Sequence, residues 1–397
     1  MQCVSFARIE RMIQKVGEKM ESNVILKTKD ERQFSFFYDK GLCFRETGRF
    51  GASSKMIYED CSGQFDALEL DCGKLVILCE DRQGGIVFLS EDGEEWLKTT
   101  LLKSKSGQTS EKNFFLFEQN GWLNGFYCLR YQGQILLVHH IIDNEDLQPQ
   151  VVDLLREENV CVFSLENGDF LAVYASDYAN GNLGFKRYAW NRKEWGRFEI
   201  IDKGELLFAC RDEKENLYVA YCQEDACWLK VLKKDDYQTV YSQQQFPLPF
   251  LNGVRKNVRL VIENGKLWIL YPNGASIFAS YCTLDSYAFS TPQQFVSRGE
   301  GKPFSLKAGG GVWHSYGYWN GSAPELFLLK NKGGRAAPDN SAEIERFAGI
   351  SKETEQWGKE QIEDRKKELE LSILRRDIET LKKRLTSLEK SVVYKER

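Results

Sequence analysis

The chain has 397 residues, 54 Lys+Arg against 58 Asp+Glu, and a 42% hydrophobic fraction that includes its 25 Phe, 17 Tyr and 9 Trp. That apolar and aromatic content excludes a disordered chain, and the near balance of charge gives no whole-chain basis for binding nucleic acid. No apolar run approaches the roughly 18–20 residues needed to span a bilayer. Arg8, Glu10 and Arg11 break the stretch that a signal peptide would need, so cytoplasmic synthesis without one is expected. The 11 cysteines are scattered, mostly through strand-like runs, and the close pairs Cys222/Cys227 and Cys72/Cys79 have neither zinc-knuckle nor redox spacing. They read as small buried apolar residues, with no metal and no other cofactor expected.

In chain order, residues 3–14 come first and support two readings. They suit an outer β-strand, while Phe6, Ile9, Ile13 and Val16 also share one face of a short helix. One pattern then recurs: an apolar strand, a tight polar turn, a second apolar strand. Residues 24–26 turn near Asp30 into 34–38, and residues 65–70 turn at Cys72-Gly73 into 75–79. Residues 114–117 turn at Asn120-Gly121, and residues 160–165 turn at Asn167-Gly168 into 170–174. Residues 206–210 turn near Glu215-Asn216 into 217–221, and residues 258–262 turn at Asn264-Gly265 into 267–271. Residues 304–306 turn at Gly309-Gly310-Gly311 into Val312-Trp313. With the turns at 30, 73, 121, 168, 215, 265 and 310, the spacings are 43, 48, 47, 47, 50 and 45. Asn-Gly between strands predicts type I′ turns, because both central residues need positive φ. Each interval leaves room for two further strands, such as 183–190 and 195–201 in the fourth repeat. Four strands in about 40–50 residues is the size of a propeller blade.

The junction Ser90-Glu91-Asp92-Gly93-Glu94-Glu95-Trp96 resembles the Asp box of sialidase-type (BNR) β-propellers, one residue tighter than the usual Ser-x-Asp-x-Gly-x-x-Trp. In that family the box is a turn with a Trp packed beneath it, so the resemblance implies the fold and not the activity. Sialidase chemistry would need an arginine triad, a Tyr/Glu pair and an acidic Asp. Arg82, Arg130, Arg187 and Arg255 are present, but nothing in the sequence groups them.

Beyond Gly333-Gly334 and Pro338 the composition shifts to Glu, Lys, Arg and Leu. Leu371, Leu374, Ile378, Leu381, Leu385, Leu388 and Val392 form an unbroken heptad seam. In a parallel coil Glu370 would face Arg375, Asp377 would face Lys382, and Arg384 would face Glu389 of a second copy, all opposite in sign. The expected class is therefore all-β: a seven-bladed β-propeller over residues 1–335, with residues 3–14 closing the last blade. A linker at 336–350 and an α-helical coiled coil at 351–397 follow.

Chemistry-bearing residues are sparse. His139 and His140 are neighbours on a strand and point to opposite faces, so they cannot share a metal or a serine. No catalytic set is expected. Ligand-binding candidates are Trp313, His314, Tyr316, Tyr318 and Trp319, aromatics between glycines on a blade loop, with Asp177 and Tyr178 in a polar loop of the fourth repeat. The expected function is a non-enzymatic interaction or scaffold module, displayed in two or three copies by the coil in a spore-coat, phage-like or intracellular assembly. Its propeller face would take another protein or a glycan. The alternative is a carbohydrate-active or carbohydrate-binding propeller.

Overall fold

The computed structural model describes residues 22–47, 53–104, 109, 112–144, 147–234, 241–254, 256–274, 276–295, 301–320 and 323–328. The heptad seam from Leu371 to Val392 and the proposed closing segment 3–14 lie outside the described residues. Within them the chain is all-β, with one short 3₁₀ turn at Pro249–Leu251. No helix there is long and apolar enough to cross a membrane.

Antiparallel pairing divides the strands into seven successive meanders, at residues 23–58, 61–102, 114–155, 160–203, 205–247, 259–295 and 302–326. The first six each have four strand positions, and the seventh has three among the described residues. The long strand Gln150–Ser164 serves twice, as the last strand of the third meander and the first of the fourth. The first strands of the first six meanders contact one another in sequence order, and that of the sixth contacts the second strand of the seventh, Gly311–Asn320. Lys302–Ala308 then pairs in parallel with Asn23–Lys27, bringing the last meander back to the first. This brings the two ends of the strand series together.

The core lies between the faces of neighbouring meanders. Phe36, Leu42, Ala67 and Ile77 fill the gap between the first and second, and Phe126, Leu137, Ala172 and Tyr188 fill that between the third and fourth. Amide side chains stitch the first strands together. Asn23 donates to the Pro303 carbonyl (3.3 Å), Asn113 to that of Glu158 (2.9 Å) and Asn159 to that of Leu206 (3.0 Å).

The first turn of each meander takes one of two forms. At Asn120-Gly121, Asn264-Gly265 and Gly309-Gly310 both central residues have positive φ, the type I′ pattern. At 28–32, 70–74, 165–169 and 212–216 the turn is one residue longer, and only its fourth residue is left-handed. The type I′ expectation for Asn167-Gly168 is thus corrected. Only Gly168 has positive φ (87°), while the Asn167 side chain accepts the Asp169 N–H at 3.1 Å. An Asx-type bond has taken the place of the second left-handed residue. Glu215 fills the left-handed position of the fifth meander at φ 60°. Its buried carboxylate offsets that strain by accepting from the Glu166 N–H (2.9 Å), Arg211 (3.2 Å) and Lys234.

The cysteine reading needs one correction. Cys222 and Cys227 sit directly opposite one another on adjacent strands, with Cα atoms 4.2 Å apart, and form a disulfide. Five-residue spacing across a two-residue hairpin puts a cross-strand pair within reach, which redox-motif spacing does not test. At the Asp-box-like junction, Gly93 has φ 66° and Trp96 packs edge-on to Phe44 of the first meander at 6.1 Å.

Candidate ligand-binding cavity

The first strands enclose an axial space made of two cavities that share part of their lining. The smaller, about 250 Å³, lies at the starts of the first strands, where Asn23, Gln64, Asn113 and Asn159 line it. The larger, about 900 Å³, opens toward the turns of the fifth to seventh meanders. Phe115, Phe163, Ala209, Ser305, His314 and Asp66 border both.

Strand alternation puts these side chains there. Lys307 is buried, and its ammonium donates to Asp66 Oδ2 at 2.5 Å and to the Leu116 carbonyl at 3.2 Å. Asp66 also accepts the Leu116 N–H (2.7 Å) and the Ala67 N–H (2.9 Å). This cluster ties the seventh meander to the second and third. Burial lowers the Lys307 pKa, against the raising effect of Asp66. A second buried pair, Lys112 with Glu80, joins the third meander to the second.

His314 stands opposite Ser305 on the neighbouring strand, with Nδ1 and Oγ 3.0 Å apart and its ring edge-on to Phe208 at 5.2 Å. Burial, helped by Arg259 and Lys307, pushes its pKa down to about 3. The imidazole is therefore neutral at pH 7 and a weak proton acceptor, unsuited to activating Ser305. Among the described residues no group of three or more His, Cys, Asp or Glu side chains is placed to hold a metal ion.

The structure divides the sequence-derived candidates. Trp313 and His314 line the larger cavity. Tyr316 and Tyr318 do not lie on an exposed loop: Gly311–Asn320 is a strand, and both rings are in the core. Tyr316 donates its hydroxyl to the Asn257 carbonyl, and Tyr318 donates to Glu325 at 2.5 Å. Trp319 packs on Phe37 (4.9 Å) and Phe304 (6.0 Å). Asp177 and Tyr178 occupy a turn of the fourth meander that lines neither cavity, with Tyr178 76% exposed. His139 and His140 do face opposite ways. His139 stacks on Phe126 at 4.4 Å and bonds Asn124 at 2.9 Å, whereas His140 meets the Tyr127 hydroxyl at 3.3 Å.

Sequence reasoning missed Asp66, Lys307 and Glu263. Each is a charge set directly beside apolar residues of a first strand (Phe65-Asp66-Ala67-Leu68, Leu306-Lys307-Ala308 and Leu260-Val261-Ile262-Glu263). That interruption was the available signal.

The chain matches no protein-family model and no curated protein. Among solved structures it is similar to the BP39L lectin from Burkholderia pseudomallei, with a TM-score of 0.52 at 8% identity, covering 77% of this chain and 99% of that one. It is also similar to a puromycin hydrolase S511A mutant complexed with PGG (TM-score 0.51, 10% identity), covering 80% of this chain and 53% of the hydrolase, about half its length. At this identity the likeness concerns the fold alone. The fold is a β-propeller. A closed circuit of antiparallel meanders around an axial space defines that architecture. A fungal lectin described as having a six-bladed β-propeller fold also matches, at a TM-score of 0.40 and 10% identity over 70% of this chain and 96% of that one.

Proposed function

We propose that this propeller is a non-enzymatic carbohydrate-binding module and that the larger axial cavity is its site. One observation carries the reading. The cavity of about 900 Å³ combines the half-buried aromatic faces of Phe115, Phe163 and Trp313 with convergent polar groups. That volume suits a small ligand, and aromatic faces beside polar groups match the two surfaces of a sugar ring, apolar C–H on one side and hydroxyls at the edge. The lectin likeness supports the same reading. The low pKa of His314 weighs against hydrolysis at Ser305.

The test is a glycan panel screened against the full chain and against Trp313→Ala. Saturable binding by at least one glycan, weakened in the variant, is expected; a panel with no binder would overturn the reading. We further propose that each of the seven meanders is one blade of a single ring and that 90–96 serves as an Asp-box turn. Residues 3–14 would supply the outer strand of the seventh blade, and the seam from Leu371 to Val392 would assemble copies. The scaffold reading has less behind it, since that seam lies outside the described residues. Mass measurement on the full chain and on a chain ending at residue 340 tests the assembly. Monomeric mass for both chains at micromolar concentration would rule it out.

A further inference from the structure

The smaller axial cavity, about 250 Å³, has charges of its own, and most of them are already paired. Asp66 holds Lys307, Glu158 holds Arg130 at 2.6 Å, and Lys112 holds Glu80. Glu157 accepts the Leu206 N–H at 3.1 Å. Burial, together with Glu205, pushes its pKa up to about 7, so it is only about half ionised at that pH. Two lining cations remain, Arg259 and Lys256, and among the described residues neither has a carboxylate within ion-pair reach. With every pair counted whole, the lining keeps an excess of positive charge.

Arg259 is half-buried in the first strand of the sixth meander, and its guanidinium stacks on Phe208 at 4.9 Å. Nη1 donates to the Val258 carbonyl at 2.8 Å. Nε and Nη2 have no acceptor in the protein, yet neither is closed off from solvent. Those two N–H groups share one edge of the planar group, the edge that grips two oxygens of a carboxylate or phosphate at once. His314 meets the same Phe208 ring edge-on at 5.2 Å and lines the same cavity. Its bond with Ser305 leaves one neutral donor in either tautomer. That donor is Nε2–H when Ser305 donates to Nδ1, and the Ser305 hydroxyl when Nδ1–H donates to it. Lys256 is exposed, so the cavity reaches the surface beside it. The volume lies below the roughly 300–1,000 Å³ of drug-sized sites, so only a small ligand fits.

We propose that the smaller cavity is an oxyanion site, in which the free edge of Arg259 grips the carboxylate or phosphate group of a small ligand. Lys256 adds a second positive charge at the mouth, and the Ser305–His314 pair adds a neutral donor on the inner side. A half-buried guanidinium without a counter-ion is stabilised by such a ligand, and the two charge-assisted bonds make the contact selective for a two-oxygen group. The site is separate from the sugar site proposed in the larger cavity and does not depend on it.

The test follows the melting temperature of the full chain in acetate, inorganic phosphate and acetamide, with ionic strength matched by sodium chloride. Acetamide keeps the shape of acetate without its charge. Acetate or phosphate is expected to raise the melting temperature by about 2 °C at 50 mM, the shift for a ligand bound at roughly 5 mM. Acetamide should leave it unchanged. The larger of the two anion shifts identifies carboxylate or phosphate as the preferred group. Arg259→Lys keeps the charge but loses the fork, so affinity should fall by about tenfold, and Arg259→Gln should abolish the shift. No shift from either anion, an equal shift from acetamide, or a shift retained in Arg259→Gln would overturn the proposal. If Arg259→Gln does not fold, Lys256→Gln decides, because an exposed position tolerates the change: an anion shift weakened there supports the site, and an unweakened one would overturn it. No sugar enters the test, so its failure is distinguishable from failure of the glycan panel.

Discussion

Replacing Lys307 with Met should expose how far the axial ion pair holds the ring together. The methionine keeps the length and apolar stem of the side chain but removes the donor to Asp66 (2.5 Å) and to the Leu116 carbonyl (3.2 Å). Removing one partner of a buried pair usually costs about 3–5 kcal/mol. Asp66 would still accept the N–H groups of Leu116 and Ala67, at 2.7 and 2.9 Å, which favours the lower end, ~3 kcal/mol. For roughly 300 ordered residues the unfolding entropy is about 0.6 kcal/mol/K, so the melting temperature should fall by ~5 °C. The same loss should appear as a lower midpoint in urea with an unchanged slope. Adding Asp66→Asn removes the stranded charge, so the double variant should recover at least ~1 kcal/mol relative to Lys307→Met alone. A single variant within ~1 kcal/mol of the intact chain, or a double variant no more stable than the single, would refute the claim that this pair bridges three meanders.

Three other outcomes follow from the packing. A Cβ on Gly311 would sit 2.1 Å from the Trp313 ring, so Gly311→Ala should cost about 1–3 kcal/mol, turn Trp313 out of the cavity wall and change its fluorescence. An unchanged emission spectrum would contradict this placement. Burial holds the His139 pKa down to about 3, below its usual 6.5, so the folded chain stays unprotonated there while the unfolded chain takes up a proton. The stability this provides is complete above pH 6.5 and is lost as pH falls toward 3. His139→Gln should therefore flatten the pH dependence of the urea midpoint between pH 6 and 5 by about 1 kcal/mol per pH unit; an unaltered slope would count against a neutral buried imidazole. Cys222 and Cys227 should resist alkylation in denaturant until reduced, and reduction should cost about 2 kcal/mol for so short a loop. Their labelling without reductant would show that the pair is open.

Much of the ring was legible because its signals are local. Alternating apolar strands and the turns near 73, 121, 168, 215, 265 and 310 report the backbone directly, and Gly73, Gly121 and Gly168 sit where a positive φ is required. What sequence could not give was the face each residue meets. The aromatic run from Trp313 to Trp319 reads as one cluster, yet Trp313 and His314, near the start of the strand, border the cavity, whereas Tyr316, Tyr318 and Trp319 further along it pack in the core. The partners of Lys307 and Asp66 are 241 positions apart, and no local pattern links them. The cross-strand disulfide escaped because register, which a motif search does not see, brought Cys222 opposite Cys227.

The central claim is that the axial cavity binds carbohydrate. Saturation-transfer NMR on the full chain, using the strongest glycan of the panel, addresses it most directly when repeated with Trp313→Ala. The account predicts saturable transfer to the sugar C–H groups and an affinity roughly tenfold weaker in the variant, as loss of one stacking face implies. Transfer of equal strength in both proteins would place the glycan elsewhere, and no transfer from any glycan would contradict the claim.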